Sequence, residues 1–261
     1  MRAKKRLGQN FLISKEIIKK IMLEVEALED DLIIEIGPGM GALTKAVKKK
    51  NAHLIAYELD TDLKQVLSPL EDEKTKVIYK DFLQSDVRSD IKNMKYNNIY
   101  IVGNLPYYIT TPIIEHIISL NLDLKRLTIM VQREVAERFL AKPGSKSYGY
   151  ITLFLRYYFS AYKVCDVSSK CFSPEPKVQS AVVSFEPRKQ KLELDAGYFK
   201  FLKVIFKQKR KNIRNNLKGI YEEDALKEKL EKMNLDMQVR AEELSEEQII
   251  MLYKELTKKR G

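Results

Sequence analysis

The sequence predicts an α/β domain, a parallel sheet covered by helices on both faces, followed by a small all-helical domain. Three observations carry this reading. Short apolar runs alternate with amphipathic stretches from residue 31 to about residue 131, a glycine-rich turn follows the first run, and strand signals vanish after Pro187. Such alternation marks βαβ units, whose crossovers place helices on both faces of a sheet.

The first buried strand is Leu32-Ile33-Ile34-Glu35-Ile36, with further strands at 53–57, 77–79, 99–102 and 127–131. Runs this short and apolar, set between turn signals, suit strands buried on both faces. The stretches at 42–49 and 112–119 suit helices between them. Runs around Val164 and at 181–185 add strands at the sheet edge. These elements set an α/β domain at 1–187, opening with a basic arm at 1–14, and a helical domain at 188–261 joined by a linker near 188–195. The second part holds 19 basic and 13 acidic residues, so it carries more than half of the net charge in under a third of the length.

That charge narrows the function. The whole chain has 47 Lys and Arg against 36 Asp and Glu, a net +11 over 261 residues, which favours a polyanionic partner. Two cysteines, Cys165 and Cys171, exclude a disulfide scaffold and an all-cysteine zinc site, and His53 and His116 lie far from both, so no metal is expected. No apolar run approaches the ~18 residues of a membrane span. Phe11-Leu12-Ile13 is cut short by Ser14-Lys15, so no signal-peptide core follows the basic residues Arg2, Lys4, Lys5 and Arg6. The chain reads as soluble, cytoplasmic and monomeric.

Glu35-Ile36-Gly37-Pro38-Gly39-Met40-Gly41 links the first strand to a helix. Glycine serves where backbone turns sharply or approaches a ligand. The G-x-G-x-G spacing is one residue shorter than the dinucleotide fingerprint. Tyr57-Glu58-Leu59-Asp60 ends the next strand, where an acidic side chain accepts from both ribose hydroxyls. Asp81-Phe82 ends the third, where a carboxylate accepts from an adenine amino group. Singly, each reads as a turn glycine or a solvated carboxylate. In register they hold an adenosine with no phosphate recognition, and the ligand that fits is S-adenosylmethionine.

Gly103-Asn104-Leu105-Pro106-Tyr107-Tyr108 follows the fourth strand. An exocyclic adenine amine is a poor nucleophile because its lone pair is delocalised. The Asn104 side-chain oxygen and the Leu105 carbonyl, held before Pro106, accept its two hydrogens and aim the lone pair at a sulfonium methyl. Catalysis is then positioning for in-line transfer, with no strong base. Tyr107 stacks on the base, worth ~1–3 kcal/mol. Phe172, at the head of Phe172-Ser173-Pro174-Glu175-Pro176-Lys177-Val178, either closes the other face of a flipped base or anchors the proline loop in the core.

At these residues, with Leu7-Gly8-Gln9-Asn10-Phe11-Leu12 and two C-terminal segments from Arg210 to Leu217 and from Arg240 to Ser245, the chain resembles the ribosomal RNA adenine dimethyltransferases, most closely the bacterial small-subunit (16S) enzymes. The resemblance runs from residue 7 to about residue 256. It implies a Rossmann-like S-adenosylmethionine-dependent methyltransferase domain with a helical RNA-binding domain. It also implies N6,N6-dimethylation of two adjacent adenosines in a hairpin loop near the 3′ end of small-subunit RNA, and a part in late subunit biogenesis. By motif match, Asn10 and Leu12 join Gly37, Gly39, Gly41, Glu58, Asp81 and Asn104 at the cofactor.

On a helical wheel, Lys203, Lys207, Arg210, Lys211, Arg214 and Lys218 fall within an arc of about 100°, beside Leu202, Phe206, Ile213 and Leu217. No acid lies between Lys200 and Lys218. The expectation is one helix with an apolar seam and a basic face for RNA phosphates. The rival readings are a large-subunit RNA adenine methyltransferase conferring macrolide resistance, a protein glutamine methyltransferase, and a binding-only assembly factor. The basic helical domain speaks against the second, and the intact motif set against the third.

Overall fold

Apolar strands build a seven-stranded sheet in the computed structural model, which describes Lys4 and residues 8–189 and 193–258. Arg2, Lys5, Arg6 and Leu7 of the basic arm, and residues 190–192 of the expected linker, lie outside the described residues. The chain opens with β1 (Phe11–Leu12), α1 (Lys15–Glu24), β2 (Leu32–Ile36), α2 (Ala42–Val47), β3 (His53–Tyr57), α3 (Lys64–Leu67), β4 (Thr75–Ile78), α4 (Val87–Ile91), β5 (Ile99–Asn104), α5 (Thr110–Ser119) and β6 (Leu124–Gln132). It continues with α6 (Arg133–Phe139), α7 (Tyr150–Tyr158), β7 (Phe159–Val167), β8 (Phe172–Ser173) and β9 (Ser180–Pro187). The closing helices are α8 (Ala196–Ile205), α9 (Ile213–Leu217), α10 (Glu223–Lys232) and α11 (Glu246–Thr257).

The strand order is β4-β3-β2-β5-β6-β9-β7. The first five are mutually parallel, and β9 runs antiparallel to β6. All five residues of β2 are buried, as a central strand covered on both faces requires. The chain order reverses around β2, whose neighbours are β3 and β5. Ligands bind at the carboxyl ends of strands at such a switch point. Of the two late strands expected at the edge, only β7 is the edge. β9 lies inside it because its first six residues are all buried, whereas β7 is mostly half-exposed or exposed. A separate two-stranded pairing joins β1 to β8, with Leu12 opposite Phe172.

The structure divides into two compact units: the described residues up to Ala136 with Ser160–Pro187, and Glu137–Phe159 with the described residues from Arg188 onward. The helical unit thus takes in α7, which the sequence boundary at Pro187 left with the first domain. The cause is apolar packing. Tyr148 and Leu153 are buried in one cluster with Tyr198, Phe201, Leu202, Ile205, Leu230, Ile249 and Leu252. Helix α8 supplies Tyr198, Phe201, Leu202 and Ile205, an i, i+3, i+4, i+7 stripe. Helix α11 starts with a capping box in which Ser245 Oγ accepts from Gln248 N (3.2 Å) and Ser245 N donates to Gln248 Oε1 (2.9 Å).

The single basic helix expected across 200–218 is broken. Helix α8 ends at Ile205 and α9 begins only at Ile213. The Asn216 amide donates to the carbonyls of Ile205 (3.0 Å), Gln208 (3.2 Å) and Lys211 (3.3 Å). The Asn212 side chain caps α9 by accepting from Asn215 N at 2.9 Å. Short polar side chains that bond nearby backbone in this way replace helical bonds with turns. The helical-wheel arc therefore does not describe these cations.

Candidate active site

In-register pairing places Ile36 beside both Tyr57 and Gly103. The residues that follow them, Gly37, Glu58 and Asn104, therefore reach the carboxyl edge of the sheet at one level. Gly37 N donates to Tyr57 O (2.9 Å) and Glu58 N to Ile78 O (3.0 Å), which ties the tips of β2, β3 and β4 together. Beyond this edge lies a pocket lined by Asn10, Gly37, Gly39, Glu58, Asp81, Asn104, Leu105, Pro106 and Tyr107, all named from the sequence. A second pocket adjoins it. The two share residues 8–11 and Tyr107, and the second is walled by Leu12, Met40, Gln132 and residues 173–178.

The glycine loop is fixed by its acidic neighbour. Glu58 is 6% exposed. One of its oxygens accepts from Gly39 N (3.0 Å) and the other from Asp60 N (2.8 Å). Burial raises its carboxyl above the ordinary value, against the pull of those two N–H groups. A carboxylate has about four lone-pair sites, so acceptor capacity remains for a ligand in the pocket. Gly39 has φ +56°, and a Cβ there would come within 2.9 Å of Phe11 Cδ1. Only glycine suits both the backbone and the approach of the arm. Asp81 accepts from Leu83 N (3.0 Å), capping the short turn after β4 while it lines the pocket.

Asn104 has a defined orientation. Its Nδ2 donates to the Asn10 carbonyl at 2.8 Å. A carbonyl accepts only, so the opposite amide orientation would set oxygen against oxygen. The Oδ1 atom is thereby left free of that contact, in a residue that lines the pocket. Leu105 is 1% exposed, and its N donates to Met130 O (3.1 Å), holding the turn against β6. Tyr107 lies on both pockets, and its hydroxyl pairs with the fully buried Ser180 Oγ at 2.7 Å. Burial raises its phenol above the ordinary value, so the ring stays neutral.

Three expected site residues are placed elsewhere. Phe172 lines neither pocket. It is 3% exposed and packs with Leu12, Val167 and Met130 in an apolar cluster, because the β1–β8 register turns it and Leu12 inward together. Its burial fits the core anchor of the two roles open from the sequence. Leu12 shares that cluster and lies off the cofactor pocket, bordering only the second one. Gly41 is the N-cap of α2 with φ +74°, and a Cβ there would meet Leu70 Cδ1 at 2.7 Å. It packs the helix start and does not line the pocket.

Gln9, Phe11, Phe82 and Tyr108 line the pocket without having been singled out. All four lie inside the sequence motifs, Gln9 and Phe11 beside Asn10, Phe82 beside Asp81 and Tyr108 beside Tyr107, and that adjacency is their signal in the sequence. Leu59 and Lys80 line it too, each beside a strand-tip carboxylate.

In the helical unit Lys203, Lys207, Arg210, Lys211, Arg214 and Lys218 are all exposed. Lys203 Nζ lies 5.5 Å from the centre of the Tyr150 ring, and Arg214 pairs with Glu223 at 2.6 Å. Among the described residues no group of three or more His, Cys, Asp and Glu side chains could hold a metal ion. No described helix is long and apolar enough to cross a membrane.

Comparison with known proteins agrees with this geometry. A Ribosomal RNA small subunit methyltransferase A from Mycoplasmopsis pulmonis is 43% identical over 258 residues, covering 98% of this chain and all of that one. A protein of the same name from Pediococcus pentosaceus is 38% identical, covering 96% of this chain and 89% of that one. Among solved structures, a dimethyladenosine transferase from Plasmodium falciparum matches with a TM-score of 0.77 at 23% identity, covering 93% and 95% of the two chains. The 23S rRNA methyltransferase ErmE matches with a TM-score of 0.74 at 24% identity, covering 95% and 99%. Both structures share the fold. The Ribosomal RNA adenine dimethylase family matches over residues 1–258, and with near-full-length relatives at this identity the chain belongs to that family.

Proposed function

We propose that this chain uses S-adenosylmethionine to dimethylate the N6 amines of two adjacent adenosines near the 3′ end of small-subunit ribosomal RNA, in the cytoplasm and late in subunit assembly. The observation that carries the chemistry is the Asn104 amide, whose nitrogen is tied to Asn10 and whose oxygen is left to accept.

The pocket residues fit the cofactor. Gly37 and Gly39 give a floor without side chains, and Glu58 offers a buried carboxylate beside it. When bound, the cofactor supplies an electrophilic methyl group on a sulfonium. Asn104 Oδ1 and the Leu105 carbonyl accept the two amine hydrogens, which turns the nitrogen lone pair away from them. Tyr107 presents its ring where the two pockets meet. The neighbouring pocket, walled by Gln132 and residues 173–178, takes the target nucleotide. With both hydrogens held by neutral oxygens, the work is positioning and electrostatic complementarity. The exposed cations of the helical unit contact phosphates, which orients the enzyme without reading bases.

Relatives named for small-subunit modification match at 37–43% identity, whereas ErmE shares the fold at 24%. This favours the small subunit over the large-subunit reading. The test is labelled cofactor with small and large subunits lacking the modification, followed by nucleoside analysis. Four methyl groups per small subunit and none on large subunits is the expected result. Label on large-subunit RNA would overturn the substrate, and no label on either would leave a binding-only factor.

A further inference from the structure

The tip of β3 carries two buried carboxylates, and only one of them lines the cofactor pocket. Glu58 does; Asp60, at 4% exposure, does not. Asp60 faces the arm before β1. Its oxygens accept from Gln9 Nε2 (2.8 Å), Lys4 Nζ (2.5 Å) and Asp62 N (3.2 Å). Burial by itself would raise this carboxyl, but the bonds from Lys4 and Gln9 hold it below its ordinary value, so it stays charged. The next residue of the arm supplies the carbonyl that receives Asn104 Nδ2 at 2.8 Å. The one after that, Phe11, lies against Gly39. Three consecutive arm residues therefore touch the tips of β3 and β5 and the glycine loop.

We propose that Asp60 is a positioning residue: it clamps residues 8–11 over the cofactor pocket and, through the Asn10 carbonyl, sets the orientation of the Asn104 amide. The clamp has two separable effects. Holding the arm closes one wall of the pocket and strengthens cofactor binding. Holding Asn10 keeps the Asn104 oxygen turned to the substrate amine and raises turnover. The second effect rests on the role given to Asn104 above.

The experiment compares Gln9→Glu, Asp60→Asn and the double variant D60N/Q9E. Gln9 is only partly buried, so its substitution spares the core. Gln9→Glu sets carboxylate against carboxylate and opens the clamp. In the double variant the amide introduced at position 60 donates to the carboxylate introduced at position 9, which restores the contact with donor and acceptor exchanged. The readouts are S-adenosylhomocysteine affinity by calorimetry and kcat on methylation-deficient small subunits at saturating cofactor. Loss of a hydrogen bond to a charged group predicts about a tenfold fall in both for Gln9→Glu, with recovery of both in the double variant. A Gln9→Glu kcat equal to wild type at saturating cofactor would overturn the link to Asn104, and a double variant no better than Gln9→Glu would overturn the clamp. Asn104→Ala checks the reading beneath: retained turnover there would remove Asn104 from the mechanism, and the affinity arm would still decide whether Asp60 holds the arm.

Discussion

Glu35 should make the stability of this protein fall as pH rises, and Glu35→Gln should abolish that component. The residue sits in the inner strand β2 at 1% exposure. Both of its oxygens are buried, and Thr44 pulls against the effect of burial through its hydroxyl and its main-chain N–H without offsetting it. Burial pushes its carboxyl from 4.5 up to about 8. A carboxyl raised by folding contributes fully below its unfolded value, where both states are protonated. As pH climbs from 4.5 towards 8, the unfolded chain releases a proton that the folded chain retains, and stability drains away. Each pH unit within that window costs about 1.4 kcal/mol, so between pH 5 and pH 8 the wild type loses roughly 3–4 kcal/mol that a glutamine variant keeps. Urea unfolding of both proteins at pH 5, 6.5 and 8 measures the difference, because the titrating groups remote from Glu35 and its neighbour Glu58 cancel between them. Glu35→Gln should gain on wild type steadily across the series. A stability difference equal at pH 5 and pH 8 would mean that Glu35 is ionised in the fold, and the desolvation argument would fail.

Other sites give sharper functional tests. Gly39→Ala forces an L residue to φ +56° and drives a methyl against Phe11; the backbone strain alone is about 1–2 kcal/mol, so S-adenosylhomocysteine affinity should fall about five- to thirtyfold in calorimetry while the far-ultraviolet spectrum stays unchanged. Tyr107→Phe removes the partner of the buried Ser180 hydroxyl and should cost about 1–3 kcal/mol in urea unfolding; Ser180→Ala, which removes the other half of the pair, should cost no more than that. Reversing Arg210 and Arg214 to Glu should weaken subunit binding and flatten its salt dependence by roughly one to two units of log–log slope, with cofactor affinity intact. An unchanged slope would take these two side chains off the RNA.

The sheet was legible because its strands declare themselves locally. Leu32–Ile36 and His53–Tyr57 occur as the apolar runs announce them, since a strand buried on both faces leaves little room for polar residues. Glycines and carboxylates at the strand ends gave the pocket for the same reason: parallel strands in register carry every tip to one edge. The basic stretch at 200–218 departs from the single helix its periodicity predicts, because a wheel tests periodicity and says nothing about breaks. Asn212 and Asn216 interrupt it through side-chain bonds to backbone three to eleven residues away, and asparagine's place in a helical period gives no warning of them. The placement of α7 likewise depends on where Tyr148 and Leu153 find apolar partners some fifty residues downstream.

What the sequence withheld at the site was the coupling between its parts. Asp60 was visible in the tetrapeptide after β3, yet nothing local distinguishes it from Glu58. The difference is made by partners far along the chain: Gly39 N, 19 residues from Glu58, and Gln9, 51 residues from Asp60. The Asn104 orientation depends on a carbonyl 94 residues earlier, and a main-chain carbonyl has no signature in any sequence. The same holds for Phe172, whose burial follows from a two-residue pairing with β1. Residue type at a strand tip therefore names the chemistry available, while long-range partners decide that Glu58 lines the pocket and that Asp60 meets the arm. In the proposed reaction an amide that presents its oxygen to a weak nucleophile needs its nitrogen occupied, and Asn104 finds that partner in the backbone of the arm rather than in another side chain.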